Sequence, residues 1–282
     1  MIVKQLADFL NETVLPQYLG KESIKVEDLQ PIISVGSPTT TYQPPVEPTK
    51  IASMKTTDYT SGTATIVNTE NANKPFACSS TNTSSKTLSE CVLQDTAGIK
   101  LDYYGSIKTA DGIIADNYVI NLKIKYLGAR SVTIEDDLDE MTIYSEAICG
   151  FGASSATTAD FSFRPEMSKL IFTVNYNTTA SADDIEVVTD GWTKVATNLS
   201  GDRHWVSITK SGSFSENSEH TLVIAKVDDK IVYTLDDDVI FIETIVTNTK
   251  DKSYLYMGTN SSSVLCHTFD IEELDIFKIN EE

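Results

Sequence analysis

Three clusters of carboxylates could do chemistry by holding a cation. They are Glu135-Asp136-Asp137-Leu138-Asp139-Glu140, Asp183-Asp184 with Glu186, and Asp236-Asp237-Asp238. Calcium takes six to eight oxygens from carboxylates and loop carbonyls. No cluster has the spacing of an EF-hand loop, and solvated loop carboxylates are the favoured reading. Asp236, Asp237 and Asp238, which end a strand-like run, are the candidate Ca2+ ligands. No other cofactor is expected.

A second possible chemistry is stacking on sugar faces, which needs exposed aromatic rings beside polar groups. Tyr103, Tyr104, Trp192, Tyr254 and Tyr256 are the candidates. Trp192 follows the turn signal Asp190-Gly191, which suits an exposed ring or a buried one equally. Trp205, flanked by Val206 and Ile208, is expected in the core. The histidines are His204, His220 and His267, and no His/Cys group has zinc spacing. No Gly-x-Ser-x-Gly elbow, phosphate loop or dinucleotide fingerprint occurs. Serine and aspartate are abundant, so a Ser/His/Asp constellation stays open, and no residue in the sequence points to one. No catalytic residue is assigned.

Charge narrows the partners. The chain has 282 residues with 22 basic against 41 acidic side chains, a net charge of −19. Nonspecific nucleic-acid binding and docking on an anionic membrane both need cationic surface, so neither is expected. Residues 1–8 lack the apolar run of a secretory signal, and no stretch is long and apolar enough to span a bilayer. Synthesis without export by that route is the expectation. Free thiols are then the default for Cys78, Cys91, Cys149 and Cys266. Cys78 and Cys91 flank a polar loop, where a bridge is the alternative.

The elements that must position these groups fall into three segments. Residues 1–35 read as a helical arm. Val3, Leu6, Leu10 and Val14 recur at helical steps over 2–15, and Pro16 ends the run. A second short helix is expected over 27–35. Residues 36–49 hold four of the eight prolines and form an extended linker. Residues 50–282 hold many short β-branched and aromatic runs separated by polar clusters. Examples are Thr63–Val67, Tyr118–Ile124, Leu170–Tyr176, Trp205–Thr209, Thr221–Val227 and Lys230–Leu235. Such a pattern without intervening helices predicts an antiparallel sandwich or barrel. Asp228-Asp229 is the clearest hairpin turn.

Four runs carry a family resemblance: His204-Trp205-Val206-Ser207-Ile208-Thr209, Ala225–Val232 with its turn, Leu255-Tyr256-Met257-Gly258-Thr259, and Ile271-Glu272-Glu273-Leu274-Asp275-Ile276-Phe277. In order and spacing they resemble the laminin-G-like, concanavalin A-like lectin/glucanase domain. The resemblance implies a mainly β jelly-roll sandwich, here preceded by the short α-helical arm. Asp229 stands where that family usually has glycine. Some of its relatives are glycoside hydrolases with a Glu-x-Asp-x-x-Glu strand. Glu273 and Asp275 imitate the first half, and Lys278 takes the place of the second carboxylate, which removes the general acid that such hydrolysis needs. Alternation puts Glu273, Asp275 and Phe277 on one face and Leu274 and Ile276 on the other.

An isolated helix of about fourteen residues is marginal in water, so the arm needs a partner to cover its apolar face. Its opening, Val3-Lys4-Gln5-Leu6-Ala7-Asp8-Phe9-Leu10, is similar to the N-terminus of bacteriophage structural proteins. The expected reading is a virion protein: a head fibre, a capsid decoration or a tail-associated subunit. It would be a homo-oligomer, trimer or dimer, held to other virion proteins by the arm and displaying a lectin-like domain to cell-surface glycan. The alternatives are a bacterial carbohydrate-binding module or adhesin, and third a glycoside hydrolase.

Overall fold

The computed structural model describes residues 48–80, 86–96, 98–102, 105–110, 113, 117–128, 130–133, 140–143, 149–152, 161–165, 168–177, 184–198, 203–244, 254–258 and 266–279. The expected arm, including Val3, Leu6, Leu10 and Val14, and most of the proline-rich linker lie outside these residues. Lys50–Lys278 forms one compact unit.

That unit is built from antiparallel strands in layers. The largest sheet has nine strands. In spatial order they are β13 (Ile185–Val187), β18 (Asp238–Thr244), β17 (Lys230–Leu235), β16 (Glu219–Val227), β7 (Tyr118–Tyr126), β20 (Cys266–Lys278), β5 (Ile99–Asp102) and β4 (Val92–Gln94). The ninth, β1 (Thr49–Lys55), also pairs with β20. A five-stranded sheet runs β10 (Cys149–Gly152), β19 (Tyr254–Gly258), β6 (Gly105–Lys108), β3 (Phe76–Ser80) and β2 (Thr65–Ile66). A four-stranded sheet runs β11 (Phe161–Pro165), β12 (Lys169–Asn177), β15 (Arg203–Ser211) and β14 (Trp192–Asn198). The pair β8 (Arg130–Thr133) and β9 (Glu140–Ile143) stands apart. A 3-10 turn at Thr56–Asp58 and the one-turn helix α1 (Leu88–Cys91) serve as connectors.

Strand β7 shows why the sequence takes this form. Tyr118, Ile120, Leu122 and Ile124 enter the core, while Asn121, Lys123 and Lys125 alternate onto the other face and stay half-buried. The central strands of the large sheet repeat the pattern. The two smaller sheets supply the opposing layer of one continuous core. Phe172 of β12 lies 5.4 Å from Phe241 of β18 and 6.4 Å from Tyr233 of β17, ring centre to ring centre. Leu255 and Met257 of β19 are fully buried in the same cluster.

The run Ile271-Glu272-Glu273-Leu274 would break the alternation of β20. A bulge absorbs the extra residue: Ile271 pairs with Ile124 and Glu273 with Lys123. Leu274 and Ile276 thereby return to the core, with Glu273, Asp275 and Phe277 on the outer face, as the alternation predicted. Gly258 has φ +85, and a Cβ there would lie 2.5 Å from the Gly105 carbonyl oxygen. The glycine of that resembling run is therefore demanded by backbone packing. The hairpin after Val227 also forms, with Asp228 at φ 53. The expected strand Thr63–Val67 shrinks to Thr65–Ile66, and Val67 turns outward to solvent.

Candidate functional site on the outer sheet face

The outer face of the nine-stranded sheet is a grid whose rows run across the strands. One row is apolar: Phe277, Val119, Ala225, Val232 and Ile242 lie side by side in β20, β7, β16, β17 and β18. The next holds Asp275, Asn121, Val223, Thr234 and Val239. The third is polar and opens to solvent: Glu273, Lys123 and Thr221. Beyond it stand Asp270, Lys125 and Glu219.

Lysines from β1 and β7 tie the acids together. Lys50 Nζ lies 2.7 Å from Asp275 Oδ2 and 5.4 Å from the centre of the Phe277 ring. It so joins a carboxylate and an aromatic face with one ammonium. Asp275 Oδ1 is buried and accepts no hydrogen bond. Lys55 Nζ lies 3.3 Å from Glu273 Oε1. Lys123 Nζ sits between Glu219 Oε2 and Glu272 Oε2, 3.1 Å from each. Hydrogen bonds to Glu272 and then Glu219 hold the Lys123 ammonium above its ordinary range. The Glu273 carboxylate does the same to Lys55, through a hydrogen bond and its charge.

This arrangement offers fixed donors and acceptors and lacks the pair of free carboxylates that glycoside hydrolysis uses. Glu273 and Asp275 are each held by a lysine. Lys278 pairs with Tyr118, which belongs to the register of the opposite face.

The candidates read from the sequence scatter. Trp192 is only 6% exposed and joins the core, its ring centre 5.6 Å from that of Phe172. A ring so placed has no free face for a sugar, which corrects Trp192 as a stacking platform. Trp205 lies in β15, and its side chain is outside the described residues. Tyr254 and Tyr256 alternate in β19 with the core residues Leu255 and Met257. Tyr103 and Tyr104 lie outside the described residues. Asp236 and Asp237 form the corner between β17 and β18 with φ 51 and 70, and Asp238 opens β18. Asp236 is engaged by His220 and by the Thr221 N–H. Among the described residues no three His, Cys, Asp or Glu side chains stand together to hold a metal. Glu135–Asp139 and Asp183 lie outside those residues. Cys78 and Cys91 are buried free thiols. The sequence reading missed Lys50, Lys55 and Lys123, although the alternation of β7 had already placed Lys123 on a solvent face.

No family model and no curated protein matches this chain. Solved structures do. Domain 4 of AbnA, a GH43 extracellular arabinanase from Geobacillus stearothermophilus in complex with arabinotriose, is 11% identical, with 83% of this chain and 94% of that one covered and a TM-score of 0.43. A mutant of Trypanosoma rangeli sialidase displaying trans-sialidase activity is 8% identical, with 83% and 31% covered and a TM-score of 0.50. The galectin LEC-6 of Caenorhabditis elegans is 10% identical, with 64% and 91% covered and a TM-score of 0.33. The chain thus spans under a third of the sialidase's length. At such identities the likeness is one of fold, the class being the antiparallel β-sandwich. No helix among the described residues is long and apolar enough to cross a membrane.

Proposed function

We propose that this chain is a glycan-binding structural protein of a virion, held in the particle by residues 1–35 and spaced from it by residues 36–49. The outer face of the large sheet is its binding surface. The observation that carries the binding reading is the polar row Glu273, Lys123 and Thr221, with Glu219 at its border. Adjacent strands lie about 4.8 Å apart, so the row presents an acceptor, a cation and a hydroxyl at regular steps. Sugars, with alternating hydroxyls, are recognised by such fixed mixtures of donors and acceptors. The β-sandwich fold shared with the sialidase structure agrees with this reading. The virion part rests on the amphipathic arm and the proline-rich linker of the sequence.

Two measurements test the two halves. The purified chain is applied to a glycan array beside Lys123→Ala. The parent should bind a restricted set of glycans, and the variant should bind at least about tenfold more weakly, the effect of losing one charge-assisted hydrogen bond. Absence of binding by the parent overturns the glycan reading. A chain lacking residues 1–49 should fail to co-purify with particles. Undiminished incorporation overturns the anchoring role and leaves the bacterial adhesin reading in its place.

A further inference from the structure

At one end of the large sheet, three side chains line up in an order that the outer face does not have. Ser218 Oγ lies 2.6 Å from His220 Nε2, and His220 Nδ1 lies 2.6 Å from Asp236 Oδ2. Each ring nitrogen thus has a different kind of partner. An aspartate on Nδ1 fixes the tautomer with hydrogen there, which leaves Nε2 as a base facing a hydroxyl.

The surroundings hold this geometry. Asp236 Oδ1 accepts the Thr221 N–H at 2.9 Å, which fixes the carboxylate plane. The Asp236 N–H in turn donates to the Thr221 carbonyl at 2.9 Å. Phe214 stacks on the imidazole, with ring centres 3.4 Å apart and planes at 16°. Phe214 itself meets Tyr126 of the nine-stranded sheet and Phe163 of the four-stranded sheet, so the imidazole is clamped where the two layers meet. Ser218 follows Asn217, a left-handed residue at φ 64. Asp236 is left-handed as well. Both are turn residues of a type that the left-handed region accepts, and they set where Ser218 and Asp236 leave their turns. The site is also reachable: the side chain of His220 is 13% exposed and that of Asp236 is 43% exposed.

The Ser218 hydroxyl has a second acceptor, the Ser215 carbonyl oxygen at 2.5 Å. Rotation about Cβ–Oγ moves the proton from that carbonyl to Nε2 without moving either heavy atom.

We infer that Ser218, His220 and Asp236 form a serine-nucleophile site that hydrolyses small neutral acyl esters, a function distinct from glycan binding and independent of it. Ser218 Oγ bonds to the ester carbonyl carbon as its proton passes to His220 Nε2. The ester C–O bond breaks and the departing alkoxide takes that proton. Water then attacks the acyl-Ser218 ester, gives a proton to Nε2, and releases the carboxylic acid as the proton returns to Ser218 Oγ. Asp236 and Phe214 are positioning residues for the imidazole. The preference for a neutral ester follows from charge: Glu216, Glu219, Asp237 and Asp238 adjoin the three residues in the chain and would repel an anionic substrate.

The test uses the full chain with an alkyl fluorophosphonate, followed by mass-spectrometric mapping of the adduct, and with p-nitrophenyl acetate. A single adduct on Ser218 is expected, together with ester turnover. His220→Gln should lower both rates by at least about 100-fold, the ordinary contribution of a general base. Asp236→Asn should change the pH–rate profile of acylation as well as its size, which a merely structural role would not do. Mapping on the parent chain needs no variant to fold. An adduct absent from Ser218 or spread evenly over other serines, or His220→Gln reacting as fast as the parent, overturns the inference.

Discussion

The outer face around Lys123 and the sheet end around His220 both use carboxylates, each set with a different kind of partner. On the face, Asp275, Glu273, Glu272 and Glu219 each have a lysine nitrogen within 3.3 Å. An ammonium neutralises a carboxylate and offers no basic nitrogen, so the grid can bind and cannot readily transfer protons. At the sheet end, Asp236 meets an imidazole instead, and the second nitrogen of that ring reaches a hydroxyl. On the two readings proposed above, the group across from the acid is what would separate a recognition surface from a reactive one. Alternation keeps the two apart within one strand: Glu219 and Thr221 belong to the outer face, while His220 pairs with Ile124 on the core side.

The largest expected effect breaks the face side of this contrast. Lys50→Met strands Asp275, whose side chain is 7% exposed and whose Oδ1 already lacks a partner. Removing one member of a buried ion pair costs about 3–5 kcal/mol. Lys50 is itself 34% exposed, so solvent screening reduces the expectation to about 2 kcal/mol. Urea unfolding measures it. The double variant Lys50→Met/Asp275→Leu should recover at least half of the loss, because the stranded charge is gone. A single variant within about 0.5 kcal/mol of the parent would mean that the pair contributes nothing to the sheet.

The reasons for these contacts were unevenly legible in the sequence. Strand β7 announced itself, since Asn121, Lys123 and Lys125 alternate with Ile120, Leu122, Ile124 and Tyr126 and leave one choice of face. The hairpin at Asp228 was visible in its own turn residues, whereas the glycine at 258 was read only through the family resemblance, and its cause, the Gly105 carbonyl, is distant in sequence. The lysine grid was not, because Lys50 and Asp275 are 225 residues apart and meet only through the pairing of β1 with β20. The tryptophans show a different limit. In Trp192-Thr193-Lys194-Val195, alternation places either Trp192 or Val195 inside. The structure buries the indole and leaves Val195 45% exposed, since a large ring removes far more apolar surface from water than a valine. Lys194, on the same phase as Trp192, escapes by reaching the Ile185 carbonyl at 3.2 Å. The Ser218, His220 and Asp236 set spans few residues. It still depends on left-handed corners at Asn217 and Asp236, which residue type alone does not announce.

The next effect sharpens the contrast by pH. Burial, followed by the nearby Cys78, pushes the Tyr59 phenol up to about 12, and burial pushes the Cys78 thiol up to about 12. Lys123 is also raised. Every one of these groups has a folded value above its unfolded one. Their stabilisation is therefore complete below the unfolded values and is lost as pH rises through the folded ones. For Cys78 and Tyr59 the window runs from 9.0 and 10.0 to about 12. The melting temperature should fall steadily across it. Tyr59→Phe should flatten the upper part of the fall, while Lys123→Met should remove only the share contributed by the exposed grid. A flat profile from pH 9 to 12 would show that neither burial nor pairing holds these protons.

The smallest expected stability change carries the sharpest distinction. Asp236→Asn keeps a left-handed residue that asparagine tolerates, and its amide oxygen still accepts the Thr221 N–H. On a side chain 43% exposed, loss of the charge should shift stability by no more than about 0.5 kcal/mol. If His220 merely latches the β16 end to the corner of β17, then stability is the only property the aspartate serves, and labelling of Ser218 should be unaffected. If the set is a proton relay, the asparagine amide can turn its NH2 toward Nδ1 and favour the tautomer with hydrogen on Nε2, which then cannot accept from Ser218. Melting temperature and fluorophosphonate rate, measured on the same variant, should then separate: the first nearly unchanged, the second lowered at least about 100-fold.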